Sequence, residues 1–68
     1  MSIQRIFSTK SSIEAMGIQK QLQAQDISFE VIDKTDSSYA SLLGNIEIFV
    51  DDQDQEKAEK LIEAYFQD

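Results

Sequence analysis

The spacing of apolar residues changes along this chain in the order strand, helix, strand, strand, helix, and that order constrains the fold more than any other feature. Residues 3–8, 28–33 and 45–50 read IQRIFS, SFEVID and NIEIFV. Their β-branched and aromatic content, and the alternation in the last two, are typical of half-buried strands. After the first and the third of these segments, apolar residues recur every three or four positions, as in amphipathic helices. The chain is therefore predicted to fold as β-α-β-β-α.

The first helix is predicted over residues 13–25. Its N-cap is Ser11 or Ser12, and Ser11 and Glu14 have the spacing of a capping box. Gly17 lies within this helix, where glycine costs about 1 kcal/mol relative to alanine. We expect that a side chain at Gly17 would hold the helix away from the sheet. The stripe that faces the core is predicted to consist of Ala15, Ile18 and Leu22, widened by Ile13 and Met16.

The last helix carries the strongest periodic signal in the chain. Asp51 or Asp52 is its predicted cap, and Asp52 and Gln55 again have capping-box spacing. Acidic side chains in the first turn suit the positive end of the helix dipole. The apolar stripe consists of Ala58, Leu61, Ile62 and Tyr65, with Phe66 alongside. We therefore expect Tyr65 to pack in the core.

Two amphipathic helices can bury their stripes against one face of a sheet, which gives a two-layer α+β sandwich. A right-handed crossover between the first two strands leaves a gap between them, and the third strand can enter that gap antiparallel to both. The predicted sheet is three-stranded and antiparallel in the order 1-3-2, and residues 1–68 form a single domain. This plan is ferredoxin-like without the last strand, and it leaves the edge of the first strand unpaired.

The sheet face without helices is a candidate interaction surface, beside the unpaired edge of the first strand. Three apolar residues are expected on this face: Ile6, Ile32 and Phe49. Scattered surface hydrophobes explain the same pattern equally well. The first strand is ambiguous in phase, because Arg5 shares a face with Ile3 and Phe7. We favour Ile3 and Phe7 as core residues, with Arg5 at the rim of the helix layer.

Composition argues against several classes of function. The 68 residues include no Cys and no His, which excludes a disulfide framework, an ordinary zinc site and a Ser-His-Asp triad. Six basic against 13 acidic side chains give a net charge of −7, which disfavours nucleic acid and anionic membranes as partners. The acidic run 51–56 lacks the glycine of a calcium-binding loop. We expect no metal, no cofactor and no catalysis.

The expected location is the cytoplasm. No apolar run approaches the ~18 residues that span a bilayer. Residues 1–7 contain one basic residue and no long apolar stretch, unlike a signal peptide.

A set of core and cap positions recurs in a familiar order along nearly the whole chain. They are Glu14-Ala15 early in the first helix, Leu22 near its end, Ile27 just past it, Gly44 closing a loop, Val50 ending a strand, and Ala58 with Leu61-Ile62 in the last helix. This pattern resembles a small bacterial family of signal-transducing proteins, a domain of unknown function. The chain departs from the pattern at Asp26, where such sequences often have Gly, and at Asp51, where they often have Pro.

The resemblance implies a distant similarity to the nitrogen-regulatory PII proteins, whose plan is also ferredoxin-like. Their effector loop joins strands 2 and 3, and the clefts of their trimers bind nucleotide. Segment 34–44 lies at the corresponding place here and is shorter, and its candidate binding residues are Ser38, Tyr39 and Leu42. With glycine only at positions 17 and 44, the chain has no glycine-rich phosphate segment.

Two functions remain open at this stage. The first is a non-catalytic regulatory or interaction module that binds a protein partner or a small ligand. The second is an oligomeric sensor of a small ligand or nucleotide, by analogy with PII. In the first case we expect a homodimer, formed through the edge of the first strand or through the helix-free sheet face.

Overall fold

Three strands and two α-helices follow one another in the predicted order in the computed structural model, which describes residues 2–34 and 44–67. A one-turn 3₁₀ helix, Asp52–Asp54, precedes the second α-helix. The elements are β1 Ile3–Thr9, α1 Ser12–Ala24, β2 Phe29–Asp33, β3 Ile46–Asp51 and α2 Gln55–Tyr65. The prediction of an α+β chain with β-α-β-β-α order is therefore confirmed.

The sheet has the order β1-β3-β2, and β3 is antiparallel to both neighbours. This confirms the predicted order 1-3-2 and places β1 and β2 at the two edges. The central place of β3 agrees with its burial, because Ile46, Ile48 and Val50 are all buried. A strand that is paired on both sides can contribute every apolar residue of one face to the core.

Both helices cover the sheet face that carries the apolar residues of β3. The predicted α1 stripe of Ala15, Ile18 and Leu22 is buried, and α2 contributes Ala58. Partly buried residues pack around this cluster: Ile6, Phe7, Phe29, Leu61 and Ile62. The opposite sheet face carries no helix in the described part of the chain. No described helix is long and apolar enough to cross a membrane.

The N-terminus of α1 is closed by a relay of hydrogen bonds. Ser11 is the N-cap, as predicted, and its Oγ accepts from the N–H of Glu14 at 3.2 Å. The N–H of Ser11 donates to Thr9 Oγ1 at 3.0 Å, and that hydroxyl donates to Glu14 Oε1 at 2.7 Å. In a capping box the Glu14 side chain would accept directly from the N–H of Ser11. Here Glu14 reaches Ser11 through the hydroxyl of Thr9.

The C-terminus of α1 ends in a Schellman motif. The N–H of Asp26 donates to the carbonyl of Gln23 at 3.1 Å, and the N–H of Ile27 donates to the carbonyl of Leu22 at 3.0 Å. The side chains of Ile27 and Leu22 are both buried, which supplies the apolar contact of the motif. Asp26 has a φ of 59°, a left-handed conformation that favours glycine.

A β-bulge interrupts β1 at Ile6. Arg5 lies opposite Phe49, but Phe7 lies opposite Ile48, so two steps along β1 match one step along β3. The extra residue reverses the faces of the strand beyond it. A bulge therefore resolves the ambiguous phase that the sequence presents.

The bulge corrects two expectations. Phe7 shares the helix-covered side with Ile48, as predicted, but Ile3 lies on the helix-free side and is 53% exposed. Ile6, which was expected on the helix-free face, is half-buried and packs against the core. Arg5 accordingly does not point toward the helices.

The start of α2 also differs from expectation. Asp51 caps the 3₁₀ turn, since its Oδ1 accepts from the N–H of Gln53 at 3.2 Å. Asp52 makes no capping box with Gln55; its carboxylate accepts instead from the hydroxyl of Ser2 at 3.2 Å. The 3₁₀ turn delays α2 to Gln55 and ties its approach to the start of β1.

Ile13 and Met16 were expected to widen the core stripe of α1, but both lie on its outer surface. Ile13 is 79% exposed and Met16 is also exposed, because both lie on the side of α1 away from the buried stripe. Tyr65, expected in the core, is 40% exposed and packs over Gly17. A Cβ on Gly17 would overlap the phenol ring, so this glycine makes room for α2 rather than for the sheet.

Candidate functional site

The helix-free side of the sheet, hereafter the open face, is defined by the strand register. Residues directly opposite each other in an antiparallel pair point to the same side. Phe49 lies between Arg5 and Glu30, and Glu47 lies between Ser8 and Ile32, while Ile3 faces Asp51. The open face therefore carries Ile3, Arg5, Ser8, Glu30, Ile32, Glu47, Phe49 and Asp51.

Three apolar side chains cross the open face as a diagonal. On β1, Ile3 is opposite Asp51, which lies two residues after Phe49 along β3. On β2, Ile32 is opposite Glu47, which lies two residues before Phe49. Ile3 and Ile32 are exposed and Phe49 is half-buried. We call this row, which consists of Ile3, Phe49 and Ile32, the apolar diagonal.

A row of charges, the ionic diagonal, runs beside the apolar diagonal. Arg5 Nη1 lies 3.1 Å from Glu47 Oε2, and Lys34 Nζ lies 3.1 Å from Glu47 Oε1. The backbone N–H of Lys34 donates to the carbonyl of Asn45 at 2.9 Å, which extends the pairing of β2 with β3 beyond the strand ends. Arg5 belongs to β1, Glu47 belongs to β3 and Lys34 directly follows β2, so the row crosses the whole sheet.

Glu47 is held in its ionised form. Its residue exposure is only 9%, yet both carboxylate oxygens have a cationic partner. The hydrogen bond and charge of Lys34, together with those of Arg5, lower the pKa of Glu47 from its ordinary value of 4.5, against the opposing effect of burial. Two cations and one carboxylate leave the ionic diagonal with one positive charge.

The opposite flank of the apolar diagonal is acidic. Glu30 is exposed beside Phe49, and Asp51 is half-buried beside Ile3. A shallow cavity of 180 Å³ lies at this flank, lined by Ile3, Ser28, Phe29, Glu30, Phe49, Val50 and Asp51. Because two of the lining residues are acids and none is basic, this cavity disfavours phosphate groups.

A second concave surface lies between the helices. It is a shallow groove of 360 Å³ lined by Ile13, Met16, Gly17, Lys20, Gln21 and Tyr65. The ring of Phe66 lies edge-on to Tyr65, with centroids 5.2 Å apart, and stacks on Phe7 at 5.6 Å. Lys20 is the one charged residue among those that line this groove.

Two of the acidic residues that precede α2 make structural hydrogen bonds. Asp51 caps the 3₁₀ turn and Asp52 accepts from Ser2. Among residues 2–34 and 44–67, no three or more His, Cys, Asp or Glu side chains are grouped so as to hold a metal ion.

The sequence located part of this site. Ile32 and Phe49 lie on the open face as predicted, whereas Ile6 does not. Ser38, Tyr39 and Leu42, the candidate loop residues, lie outside the described residues. The sequence did not predict the ionic diagonal. Alternation in β3 places Glu47 on the same face as Phe49, but only the register of all three strands shows that Arg5 and Lys34 lie next to Glu47.

Comparison with protein families gives one result that covers the elements described above. Residues 3–65 match the DUF2007 family, whose description is "Putative prokaryotic signal transducing protein". Neither the curated proteins nor the solved structures include a significant match. The family match extends from the first residue of β1 to the last residue of α2. The chain therefore belongs to the DUF2007 family, the family of that description.

Proposed function

We propose that the protein is a non-catalytic interaction module in signal transduction, which binds a protein partner through its open face. The family description supports the general role. The observation that carries the proposal is the apolar diagonal, which is flanked by charges on both sides and lies on the sheet face that no helix of residues 2–34 and 44–67 covers. Apolar anchors within a polar rim are the usual anatomy of a protein–protein interface.

The shape of the open face favours a protein over a small ligand. Small-molecule sites are concave and bury most of their ligand. Here the apolar side chains form a row across a sheet, and the adjoining cavity has a volume of only 180 Å³. The acidic lining of that cavity also argues against a nucleotide, the ligand implied by the resemblance to PII.

The charges on the open face favour recognition over catalysis. A general acid or base works best when its pKa is near the operating pH. Glu47 instead has a lowered pKa, and each of its carboxylate oxygens is bonded to a cation. Such a group fixes side chains in place and orients a partner electrostatically.

Site-specific photo-crosslinking tests the proposal. p-Benzoylphenylalanine is placed at Ile32 on the open face, and the control carries it at Ile13 on the outer side of α1. Ile13 is the more exposed of the two, at 79% against 40%, so chance collisions favour the control. We expect irradiation of the cells that produce the chain to give a discrete protein adduct from position 32 and none of that size from position 13.

The outcomes separate the two surfaces. A discrete adduct from Ile13 alone would assign binding to the helix surface and contradict the proposal. The absence of protein adducts from both positions would also contradict it.

A further inference from the structure

The outer edge of the sheet at β2 is regular. Within residues 2–34 and 44–67, β2 has a strand on one side only, because the sheet order is β1-β3-β2. Its pairing with β3 runs from Phe29 to Asp33 without a register shift. The other edge, β1, is interrupted by the bulge at Ile6, and bulges are one of the devices that protect an edge from pairing. The edge that can accept another strand is therefore β2.

One hydrogen bond shows which backbone groups of β2 point outward. The N–H of Lys34 donates to the carbonyl of Asn45 at 2.9 Å, across the end of the β2–β3 pair. Along an antiparallel strand, successive residues direct their N–H and C=O groups alternately toward one neighbour and away from it. Glu30 and Ile32 therefore direct these groups toward β3, as Lys34 does, and Val31 directs them to the outer edge.

We propose that a second copy of the chain pairs with this edge, β2 against the partner's β2, about a twofold axis that stands perpendicular to the sheet beside Ile32. In this register Ile32 lies opposite the partner's Ile32, and Glu30 lies opposite the partner's Lys34. The joined sheet has six strands, with the helices of both copies on one side and both open faces on the other. This inference goes beyond the proposed function, because it leaves the open face uncovered.

Hydrogen bonding and charge select this register. The residue opposite Val31 has to be the partner's Phe29, Val31 or Asp33, because these residues point their backbone groups to the outer edge. Phe29 at that place would bring the two Glu30 carboxylates together at the axis. Val31 at that place would set Glu30 against the partner's Ile32. With Asp33 there, acid meets base and apolar meets apolar, and like charges directly opposite each other are avoided.

The paired side chains are exposed in the single chain. Ile32 is 40% exposed, the side chain of Lys34 is 44% exposed, and Glu30 is also exposed. These three residues direct their backbone groups away from the new neighbour, and side chains come closest in pairs of that kind. The pair of Glu30 with the partner's Lys34 occurs once on each side of the axis, as the symmetry of an isologous dimer requires.

Both diagonals of the open face continue across the axis. The apolar diagonal ends at Ile32, so contact with the partner's Ile32 joins the two rows into one. The ionic diagonal ends at Lys34, which bonds Glu47, and the partner's Glu30 adds a further carboxylate to that row. A strand that pairs in this register therefore extends the pattern that the three strands of one copy already form.

Charge reversal tests the register. Glu30→Lys sets two lysines against each other on both sides of the axis, and Lys34→Glu sets two acids against each other. Each variant alone is expected to sediment as a monomer at concentrations at which the wild type is a dimer. In an equimolar mixture both contacts join an acid to a base, so the variants are expected to form a heterodimer. The double variant Glu30→Lys/Lys34→Glu is expected to be dimeric for the same reason.

The matched control is Glu63→Lys, which changes the net charge as much as Glu30→Lys does. Glu63 is exposed on α2, so this variant should remain dimeric. A further variant covers the case in which Lys34→Glu fails to fold beside Glu47. Ile32→Lys places two lysines at the axis and is expected to fold, by circular dichroism, and to be monomeric. A wild-type chain that is monomeric at millimolar concentration would overturn the inference, as would folded charge-reversal variants that stay dimeric or fail to combine when mixed.

Crosslinks from position 32 separate this inference from the proposed function. An adduct of two copies of the chain belongs to the edge pairing, because Ile32 lies at the axis, whereas an adduct with a different protein belongs to the open face. A monomeric wild type whose position-32 adduct contains a different protein would overturn the edge pairing alone. A dimeric wild type whose position-32 adducts contain two copies of the chain and no other protein would overturn the proposed function alone.

Discussion

Asp26 occupies a backbone position that suits glycine better than any other residue. Its φ of 59° lies in the left-handed region, which costs an L-residue roughly 1–2 kcal/mol. Its carboxylate also lies just past the C-terminus of α1, where the helix dipole favours positive charge. The Schellman hydrogen bonds of Asp26 and Ile27 hold this conformation in spite of both penalties.

Asp26→Gly is expected to stabilise the fold by about 1 kcal/mol, because the relief of left-handed strain exceeds the entropy that glycine adds to the unfolded chain. The free energy of unfolding in urea measures the gain. Asp26→Asn removes the charge and keeps a side chain, and should give a smaller gain. Equal gains from Gly and Asn would show that charge, rather than backbone conformation, sets the cost.

The ionic diagonal predicts a response to acid that can be assigned to one carboxylate. Since the pKa of Glu47 is lower in the folded chain than its ordinary 4.5, ionised Glu47 stabilises the fold. That contribution is complete above the unfolded-state pKa and is lost as the pH falls through the folded-state pKa.

Glu47→Gln is therefore expected to lower the thermal unfolding midpoint at pH 7, and the difference from wild type should shrink as the pH falls below 4.5. The matched control is Glu63→Gln, on an exposed position of α2. A difference between wild type and Glu47→Gln that is the same at every pH would contradict the assignment.

Among the elements, α1 and α2 are coupled where Tyr65 covers Gly17. Alanine in a helix interior is favoured over glycine by about 1 kcal/mol, but a Cβ at position 17 would displace the phenol ring. Gly17→Ala is thus expected to gain about 1 kcal/mol in a Tyr65→Ala background and clearly less in the wild type. Urea unfolding of the four proteins in this double-mutant cycle measures the coupling. Additive effects would show that the ring moves aside at no cost.

The helices and strands could be predicted from sequence because their apolar residues recur with different periods. The face on which a residue lies could not be predicted at every position. Alternation in β3 and the stripe of Ala15, Ile18 and Leu22 identified the core correctly. The bulge at Ile6 left no signal, because Ile6 and Phe7 are both apolar and either phase of β1 explains one of them. Tyr65 continues the α2 stripe in sequence, but it lies at the end of the helix, past the buried cluster.

Only part of the site could be predicted from the sequence. A sequence shows which side chains share a strand face, so Ile32 and Phe49 were assigned to the open face. A sequence does not show the register in which neighbouring strands pair, and the apolar diagonal and the ionic diagonal both depend on that register. Ile3, Arg5 and Lys34 join the site through pairing with β3, which no local pattern encodes.

At the scale of the whole molecule, stability depends on one strand. A domain of this size has about 3–10 kcal/mol of stability at roughly 0.05–0.15 kcal/mol per residue. Ile48 is fully buried at the centre of β3, and an Ile→Ala change in a core costs about 2–5 kcal/mol. Ile48→Ala is therefore expected to lower the free energy of unfolding in urea by about 2–5 kcal/mol, a large share of that stability, whereas Ile13→Ala should change it little. Similar losses from both would contradict this picture of the core.

Because of its bulge, β1 can differ in length by one residue and keep the same register with β3. The pairs Gln4 with Val50, Arg5 with Phe49 and Phe7 with Ile48 would all persist, in unbroken succession, in a chain that lacked Ile6. Only the contacts of Ile6 with the core would be lost. Insertions and deletions are usually tolerated in loops, but here a strand can absorb one. Relatives that differ by one residue in this segment can therefore keep the same arrangement of charges on the sheet.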